Sequence, residues 1–281
     1  MRIVTHISEL RHLIRQTKAQ SQTLGFVPTM GALHAGHLSL IQEAKDKSDR
    51  VIASIFVNPE QFGPGEDFDR YPRQAEKDAE MLRAAGTDIL FLPAKEEIYP
   101  QPPRVKVLPG PVANVLCGKT RPGHFSGVGL VVAKLLNLVS PDFLFLGQKD
   151  LQQTVIIRQL IEDLNFPVEL VVCPIIREAD GLAMSSRNRY LTPEERQTAL
   201  ILNRTLQHLK TLAQPGAAGQ SLLEEGHQYL KNAPGLQTDY LEIVNGTTLE
   251  TIEVILPEEN PVIAIAGFVG KTRLIDNTFV F

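Results

Sequence analysis

Two histidines three residues apart, His34 and His37, lie in a glycine-containing stretch directly after the short apolar run Leu24–Pro28. Helical spacing begins immediately afterwards, at about Leu38. In an open α/β sheet, ligands bind beyond the carboxyl ends of strands, at helix N-termini whose free N–H groups attract phosphate. Two imidazoles there can donate hydrogen bonds to phosphate oxygens as charge builds during attack at phosphorus. The alternative is a glycine-rich turn with two solvated histidines, but the position after a strand favours a phosphate site.

A second loop, Gly147–Asp150, follows the apolar run Phe143–Leu146. In this loop Lys149 can place a compact cation on a triphosphate. Asp150 can accept hydrogen bonds from ribose hydroxyls. A lysine on a strand-to-helix loop is usually solvated, so the loop by itself is a weak signal. Its coincidence with the histidine turn is what favours a nucleotide site.

Two more segments carry polar side chains suited to a ligand. Met184–Asn188 places two hydroxyls and a guanidinium in one short stretch, which suits an anion clamp, although a polar linker has the same composition. Phe56–Phe62 lies at the end of the apolar run Val51–Val57. Its Gln61 carries both a donor and an acceptor, suited to binding a hydroxyl and a carboxylate together. The alternative for that segment is an ordinary turn opened by Asn-Pro.

The elements that must position these loops alternate between strand and helix up to about Ile176. Near-continuous apolar strands are typical of a parallel sheet covered on both faces, and the alternation predicts a doubly wound, Rossmann-like α/β fold. We expect strands at Leu24–Pro28, Val51–Val57, Ile89–Leu92, Phe143–Leu146 and Val168–Ile176, and helices at Leu38–Lys47, Arg73–Ala85, Val128–Val139 and Leu151–Leu164.

The pattern changes after residue 176, which predicts a division into domains 1–176 and 177–281. Glu178–Tyr190 is polar and irregular, and Thr192–Glu195 reads as a capping box with proline at the first helical position. That helix is expected to reach about Leu212. A second helix near Ser221–Lys231 follows, and then three strands, at Tyr240–Val244, Val262–Phe268 and Leu274–Val280. These elements predict a smaller C-terminal α+β domain that acts as a lid.

Composition narrows the classes of function. The net charge is −4 and no basic run is visible, so we expect no nucleic-acid partner. The apolar runs are too short to cross a membrane, and Met1–Arg15 carries too many charges for a signal peptide. Cys117 and Cys173 lack metal-ligand spacing, so we expect reduced thiols, no bound metal site and a cytoplasmic location.

Taken together, these segments resemble the pantothenate synthetases (pantoate–β-alanine ligases), a family within the HxGH nucleotidyl-transfer superfamily. The similarity runs almost end to end. It is carried by Val27–His37, Phe56–Gly63, Asp67–Pro72, Thr120–Phe125, Gly147–Asp150, Met184–Asn188 and Gly270–Asn277.

The resemblance implies a two-step reaction with ATP as a substrate and Mg²⁺ as a cofactor bound to it. Pantoate would attack the α-phosphorus to give pantoyl adenylate and pyrophosphate, and β-alanine would then displace AMP to give pantothenate. The family implies a cytosolic homodimer. His37, His34 and Lys149 would be catalytic, and Gln61 and Gln153 would bind pantoate, with Gln61 also near β-alanine. The ATP site would comprise Met30, Gly31, Ala32, Leu33, His34, Ala35, Gly36, His37, Gly147, Gln148, Lys149, Asp150, Ile176, Met184, Ser185, Ser186 and Arg187. His37 would either donate a proton or only hydrogen-bond the phosphates.

Three other classes of protein share some of these features. A plain nucleotidylyltransferase would need more cations near the acceptor loop, which instead offers Asn58 and Gln61. A class I aminoacyl-tRNA synthetase fragment would need a basic surface for tRNA. A nucleotide sensor without catalytic activity would bind ATP but would release no AMP.

Overall fold

The computed structural model describes the whole chain, from Met1 to Phe281. It contains nine strands and nine α-helices, joined by short 3₁₀ turns. The strands are β1 Arg2–Val4, β2 Leu24–Thr29, β3 Arg50–Ile55, β4 Ile89–Phe91, β5 Phe143–Gly147, β6 Glu169–Cys173, β7 Leu236–Asn245, β8 Pro261–Val269 and β9 Thr272–Phe279. The helices are α1 Ile7–Ala19, α2 Ala35–Lys47, α3 Ala75–Ala84, α4 Lys95–Ile98, α5 Cys117–Thr120, α6 His124–Val139, α7 Leu151–Asp163, α8 Pro193–Leu212 and α9 Gly219–Leu230.

The first six strands form one parallel sheet in the order β1-β4-β3-β2-β5-β6. Apolar side chains on both faces of this sheet are buried. Helices α1, α6 and α7 cover one face, where Phe26 and Leu144 are fully buried. Helices α2 and α3 cover the other, where Val27 and Phe145 are fully buried. The prediction of a doubly wound α/β sheet is therefore confirmed.

The last three strands form a separate antiparallel sheet in the order β7-β8-β9. Helices α8 and α9 pack on one of its faces around a core of their own. The opposite face carries Val244, Val262 and Ala264 into the same buried core as residues of α6 and α7. The smaller α+β unit is thus joined to the parallel sheet by buried apolar surface.

The capping box at the start of α8 is present in full. The Thr192 hydroxyl accepts a hydrogen bond from the Glu195 amide at 3.2 Å, and the Glu195 carboxylate accepts one from the Thr192 amide at 2.9 Å. Two unpaired amides of the first turn are satisfied in this way, and Pro193 needs no partner at the first helical position. The predicted helix, ending at Leu212, is confirmed.

Several predicted boundaries were wrong for local reasons. The strand expected to reach Ile176 ends at Cys173, because Pro174 has no N–H to continue the ladder. The helix expected from Val128 begins at His124, four residues earlier. Strand β1 and helix α1 were not predicted at all. No helix in the chain has both the length and the apolar character needed to cross a membrane.

Candidate active site

The order of strands places the candidate site. Strand β2 lies between β3 and β5, so chain connections leave in opposite directions on its two sides. A crevice forms at the carboxyl ends of strands at such a switch point, and ligands of open α/β sheets bind there. The loops that follow β2 and β5 are Met30–His34 and Gln148–Asp150, the two segments predicted to bind phosphate.

A cavity of about 240 Å³ lies between these loops. Of the predicted site residues, it is lined by Met30, His34, Gly36, His37, Gln61, Gly147, Lys149, Asp150, Gln153, Ile176, Met184, Ser185, Ser186 and Arg187. The other five, Gly31, Ala32, Leu33, Ala35 and Gln148, do not line it. Four segments that are distant in the sequence therefore converge on one space. Their assigned roles remain predictions.

The turn after β2 is held by a buried carboxylate. Asp78 on α3 accepts hydrogen bonds from the amides of Ala32 at 2.8 Å and Leu33 at 2.9 Å. Only 1% of the Asp78 surface is exposed. Gly31 and Ala32 both have positive φ, of 79° and 53°, a conformation that glycine adopts freely and alanine does not. Asp78 thus stabilises an unfavourable turn at the start of α2.

His34 and His37 lie side by side, with ring centroids 4.1 Å apart. The Nδ1 atoms of both rings are buried and have no hydrogen-bond partner in the chain. Burial and, to a lesser extent, the positive charge of Lys149 lower the pKa of His34 to about 4. Burial, together with the smaller effects of His34 and Lys149, lowers the pKa of His37 to about 3. Both imidazoles are therefore neutral at pH 7, and each offers a single N–H donor.

The lowered pKa values of the two histidines predict a pH-dependent loss of stability. An unfolded histidine titrates near 6.5, so between pH 6.5 and about 4 the unfolded chain binds protons that the folded chain does not. The free energy of unfolding should therefore fall as the pH falls through this window. A His34→Asn/His37→Asn double variant should lose less stability between pH 7 and pH 5 than the parent. Urea unfolding at the two pH values measures this, and equal losses would contradict the prediction.

The Gly147–Asp150 loop is held by the C-terminal sheet. Asn277 on β9 donates hydrogen bonds to the carbonyl oxygens of Gln148 at 3.1 Å and Lys149 at 3.0 Å. The side chain of Gln148 donates in return to the side-chain oxygen of Asn277 at 3.1 Å. The Lys149 ammonium has no close partner, because its nearest carboxylate oxygen, on Asp150, is 4.0 Å away. Lys149 is thus a weakly paired cation on a fixed loop.

Gln61 lies on a short 3₁₀ turn at the far side of the cavity. Its side-chain oxygen accepts from the Asn58 amide at 3.0 Å, and its Nε2 lies 3.2 Å from the sulfur of Met30. Asn58 is itself held by the Tyr99 hydroxyl at 3.1 Å. The Gln61 amide is therefore oriented before any ligand binds.

Two adjacent glutamines on α7 have opposite surroundings. Gln152 is buried and donates to the carbonyl oxygens of Val112 and Val115, at 2.9 and 2.7 Å. Gln153 lines the cavity, and its side chain makes no hydrogen bond within the chain. Its amide is thus free for a ligand, as the sequence-based choice of Gln153 requires.

The serine-rich segment follows a small hairpin in which the Met184 amide donates to the Ile176 carbonyl at 3.0 Å. Ser185 caps the next turn by accepting from the Arg187 amide at 3.2 Å. The Arg187 guanidinium makes two hydrogen bonds to Asp67, at 3.0 and 2.9 Å. The cation predicted to close on phosphate is therefore paired with a carboxylate of the protein itself.

Sequence reasoning did not assign roles to several residues that shape this site. They are Asp67, Tyr71, Asp78, Arg121, His124 and Asn277. Five of them stand in segments that carry the family resemblance, namely Asp67–Pro72, Thr120–Phe125 and Gly270–Asn277. Their positions in these segments were the indication in the sequence that these five residues belong to the site. Their partners could not be found, since they lie up to about 130 residues away in the chain.

The cavity opens into a cleft of about 1120 Å³ between the parallel sheet and the C-terminal sheet. The two spaces share Arg121, His124, Lys149, Asp150 and Gln153 among their lining residues. A ligand larger than the cavity can therefore extend into the cleft.

Comparison with known proteins agrees with this geometry. A family model described as pantoate-beta-alanine ligase matches residues 2–279. The pantothenate synthetase of Thermoanaerobacter sp. strain X514 is 48% identical over 278 residues, which cover 99% of this chain and 98% of the relative. A relative of the same name from Caldicellulosiruptor saccharolyticus is 47% identical over 100% of this chain and 99% of the relative.

Solved structures show the same similarity. The crystal structure of pantothenate synthetase from Thermus thermophilus superposes with a TM-score of 0.94 at 44% identity, covering 100% of both chains. The pantoate-beta-alanine ligase from Francisella tularensis, complexed with beta-gamma ATP and beta-alanine, gives 0.82 at 37% identity. It covers 100% of this chain and 98% of that one.

The fold and the site define a doubly wound α/β enzyme with an HxGH turn at the switch point of its parallel sheet. Within that class, the chain belongs to the pantoate–β-alanine ligase family.

Proposed function

We propose that the protein condenses pantoate with β-alanine at the expense of ATP, through a pantoyl adenylate, and releases AMP and pyrophosphate. The observation that carries this proposal is the convergence of phosphate-directed and acid-directed residues in one cavity. His34, His37 and Lys149 line it together with the free amide of Gln153 and the fixed amide of Gln61. The solved Francisella relative contains beta-gamma ATP and beta-alanine, which supports these ligands.

The histidine turn and Lys149 form the phosphate end of the proposed site. Two neutral imidazoles can each donate one hydrogen bond to phosphate oxygens, and Lys149 adds a positive charge. Such donors stabilise the charge that builds during attack at phosphorus. We propose hydrogen bonding to phosphate as the role of His37, because its lowered pKa leaves it without an extra proton at neutral pH.

The amides of Gln61 and Gln153 form the acid end. An amide that donates and accepts can hold the carboxylate of pantoate and a hydroxyl at once. The carboxylate would then lie between these amides and the phosphate donors, positioned to attack the α-phosphorus. Holding two reactants in such geometry converts a bimolecular reaction into an effectively unimolecular one.

We propose that residues 1–176 bind ATP and pantoate and that residues 177–281 form a lid. An acyl adenylate hydrolyses in open water, so the site must exclude water after the first step. Met184–Arg187 and Asn277, both from the C-terminal part, reach the nucleotide loops. Closure would tighten these contacts and does not require the buried face of the second sheet to separate.

Mg²⁺ is proposed to enter with the nucleotide. No group of three or more His, Cys, Asp or Glu residues is arranged to hold a metal ion. Mg²⁺ in ATP-using enzymes is commonly held by substrate phosphates with one or two carboxylates. Asp150 lines the cavity and is half exposed, so its carboxylate is available for this role. When bound, the ion neutralises charge on the phosphates.

The remaining partners follow from the family. We propose a homodimer in the cytoplasm, with pantoate, β-alanine and ATP as its small-molecule substrates and no nucleic acid or membrane partner. Sedimentation at several protein concentrations tests the dimer.

Pyrophosphate exchange tests the proposed reaction directly. Labelled pyrophosphate should exchange into ATP when pantoate and Mg²⁺ are present and β-alanine is absent, because the first step is complete before the amine is needed. No exchange should occur without pantoate, since its carboxylate is the nucleophile. Oxygen label from the pantoate carboxyl should appear in AMP once β-alanine is added. Recovery of ADP, or of unlabelled AMP, would contradict an adenylate intermediate.

A further inference from the structure

His124 is the first residue of α6, and both of its ring nitrogens are engaged. Nδ1 lies 2.8 Å from the main-chain carbonyl oxygen of Gln61. Nε2 lies 3.0 Å from a terminal nitrogen of the Arg121 guanidinium. The side chain lines both the cavity and the cleft.

The chemistry of the two partners determines where the His124 proton lies. A guanidinium donates hydrogen bonds and cannot accept them, so Nε2 must be the acceptor from Arg121. The proton of the neutral ring is therefore on Nδ1, which donates to the Gln61 carbonyl. Burial and, to a lesser extent, the charge of Arg121 lower the pKa of His124 to about 4. The ring is neutral at pH 7, as this pair of contacts requires.

The Arg121 guanidinium is fixed in turn by Glu66. Its Nε and one terminal nitrogen donate to the two carboxylate oxygens of Glu66, at 2.7 and 2.6 Å. Glu66 lies five residues beyond Gln61. The contacts therefore form a closed circuit. The main chain joins Gln61 to Glu66, and side-chain hydrogen bonds continue through Arg121 and His124 back to Gln61.

We propose that His124 is a positioning residue for recognition of the acid substrate, which it serves by fixing the main chain of Gln61 through the Nδ1 proton. The proposal rests on the proposed function of Gln61 as a ligand of pantoate. Asn58 and Met30 orient the Gln61 side chain, whereas His124 fixes the peptide that carries it. Both His124 nitrogens are occupied, so the ring cannot take a proton from substrate without losing one of these contacts.

Three substitutions separate the two contacts of His124. His124→Ala removes both. His124→Asn places an amide donor near the position of Nδ1 and so retains the bond to Gln61. His124→Gln reaches the position of Nε2 instead and retains the contact with Arg121. His12→Ala is the matched control, because His12 is exposed and makes no side-chain hydrogen bond.

Calorimetry with pantoate in the presence of a non-hydrolysable ATP analogue gives the readout. We expect His124→Ala to weaken pantoate binding about tenfold, which corresponds to the loss of one hydrogen bond between Gln61 and pantoate. The dissociation constant of the analogue should change by less than twofold. His124→Asn should bind pantoate within about threefold of the parent. His124→Gln should be as weak as His124→Ala, and His12→Ala should match the parent.

Other results would overturn the proposal. One is that His124→Gln, but not His124→Asn, restores pantoate affinity. The other is that folded His124→Ala loses affinity for pantoate and for the ATP analogue equally. If His124→Ala does not fold, the comparison of the Asn and Gln variants tests the proposal.

Gln61→Ala, measured in parallel, distinguishes a failure of the proposed role of Gln61 from a failure of the proposed role of His124. Unchanged pantoate affinity in Gln61→Ala would remove the proposed role of Gln61, whereas a loss there without one in His124→Ala would overturn the role of His124 alone.

Discussion

Lys149→Ala is expected to slow adenylate formation by roughly two to three orders of magnitude. Lys149 is the cavity cation without a close carboxylate, since Arg187 is paired with Asp67. Its charge also lowers the pKa of His34 and His37, which places it beside the donors on the other loop. A fixed donor aimed at developing charge contributes roughly 3–4 kcal/mol to lowering a barrier. That energy corresponds to the expected change in rate.

Rapid-quench measurement of a single turnover, with enzyme in excess over ATP, isolates this step. Lys149→Met serves as the matched variant, because it retains the unbranched stem and lacks the charge. It should be as slow as Lys149→Ala if charge is the cause. Adenylate formation within a few-fold of the parent in either variant would exclude this role for Lys149. The loop itself should remain in place, because Asn277 binds it through main-chain oxygens.

The fold was largely predictable because its strands are apolar and buried on both faces. Runs such as Leu24–Pro28 and Phe143–Leu146 have no polar face that would point to an edge or a hairpin. Strand β1 and helix α1 escaped prediction for the opposite reason. β1 has only three residues, of which Arg2 and Ile3 are exposed, so it shows no period that could be recognised. No feature of the sequence indicated the order β1-β4-β3-β2-β5-β6 of the strands in the parallel sheet.

The convergence of the predicted residues on one cavity followed from their positions on loops at the ends of strands. His34, Lys149 and Gln61 lie on such loops, and the carboxyl ends of parallel strands meet at one edge of the sheet. Their roles stay predictions. The residues that hold these loops were not predicted. Asp78 binds a turn 45 residues away, and Asn277 binds a loop 128 residues away. Such pairs depend on packing between elements, and a buried carboxylate or amide looks like any other polar residue in the sequence.

The pairing of Arg187 with Asp67 is the main difference between the expected site and the structure. Burial raises the pKa of the Asp67 carboxyl, but the hydrogen bond and charge of Arg187 outweigh burial and lower it overall. Both groups are therefore ionised, and each satisfies the other. Phosphate binding by Arg187 stays a prediction, and it would require this pair to separate.

Gly127→Ala is expected to abolish pantoate recognition while leaving the nucleotide loops intact. Helix α6 lies against the turn that carries Gln61 so closely that a Cβ at residue 127 would lie 2.1 Å from the Glu60 carbonyl oxygen. It would also lie 2.7 Å from the Gln61 amide nitrogen. These atoms belong to the main chain and cannot rotate away, so the turn itself must move by roughly an ångström. A displacement of that size can cost about a hundredfold in the positioning of a reactant, so we expect at least that loss in pantoate affinity.

Gly129→Ala is the matched control for this substitution. It lies on the same helix and gains the same intrinsic helix propensity of about 1 kcal/mol, but its nearest neighbour is a methyl carbon of Val107 at 2.9 Å. That methyl belongs to a loop side chain and lies away from Gln61, so pantoate affinity should remain near that of the parent. The two variants should be compared by pantoate calorimetry and by urea unfolding, because overpacking typically costs about 1–3 kcal/mol of stability. If Gly127→Ala binds pantoate as tightly as Gly129→Ala does, the close approach of α6 does not set the position of Gln61. If it loses pantoate and ATP analogue alike, the substitution has disrupted the whole site. Selective loss of pantoate identifies the contact between α6 and the Gln61 turn as the feature that shapes the acid pocket.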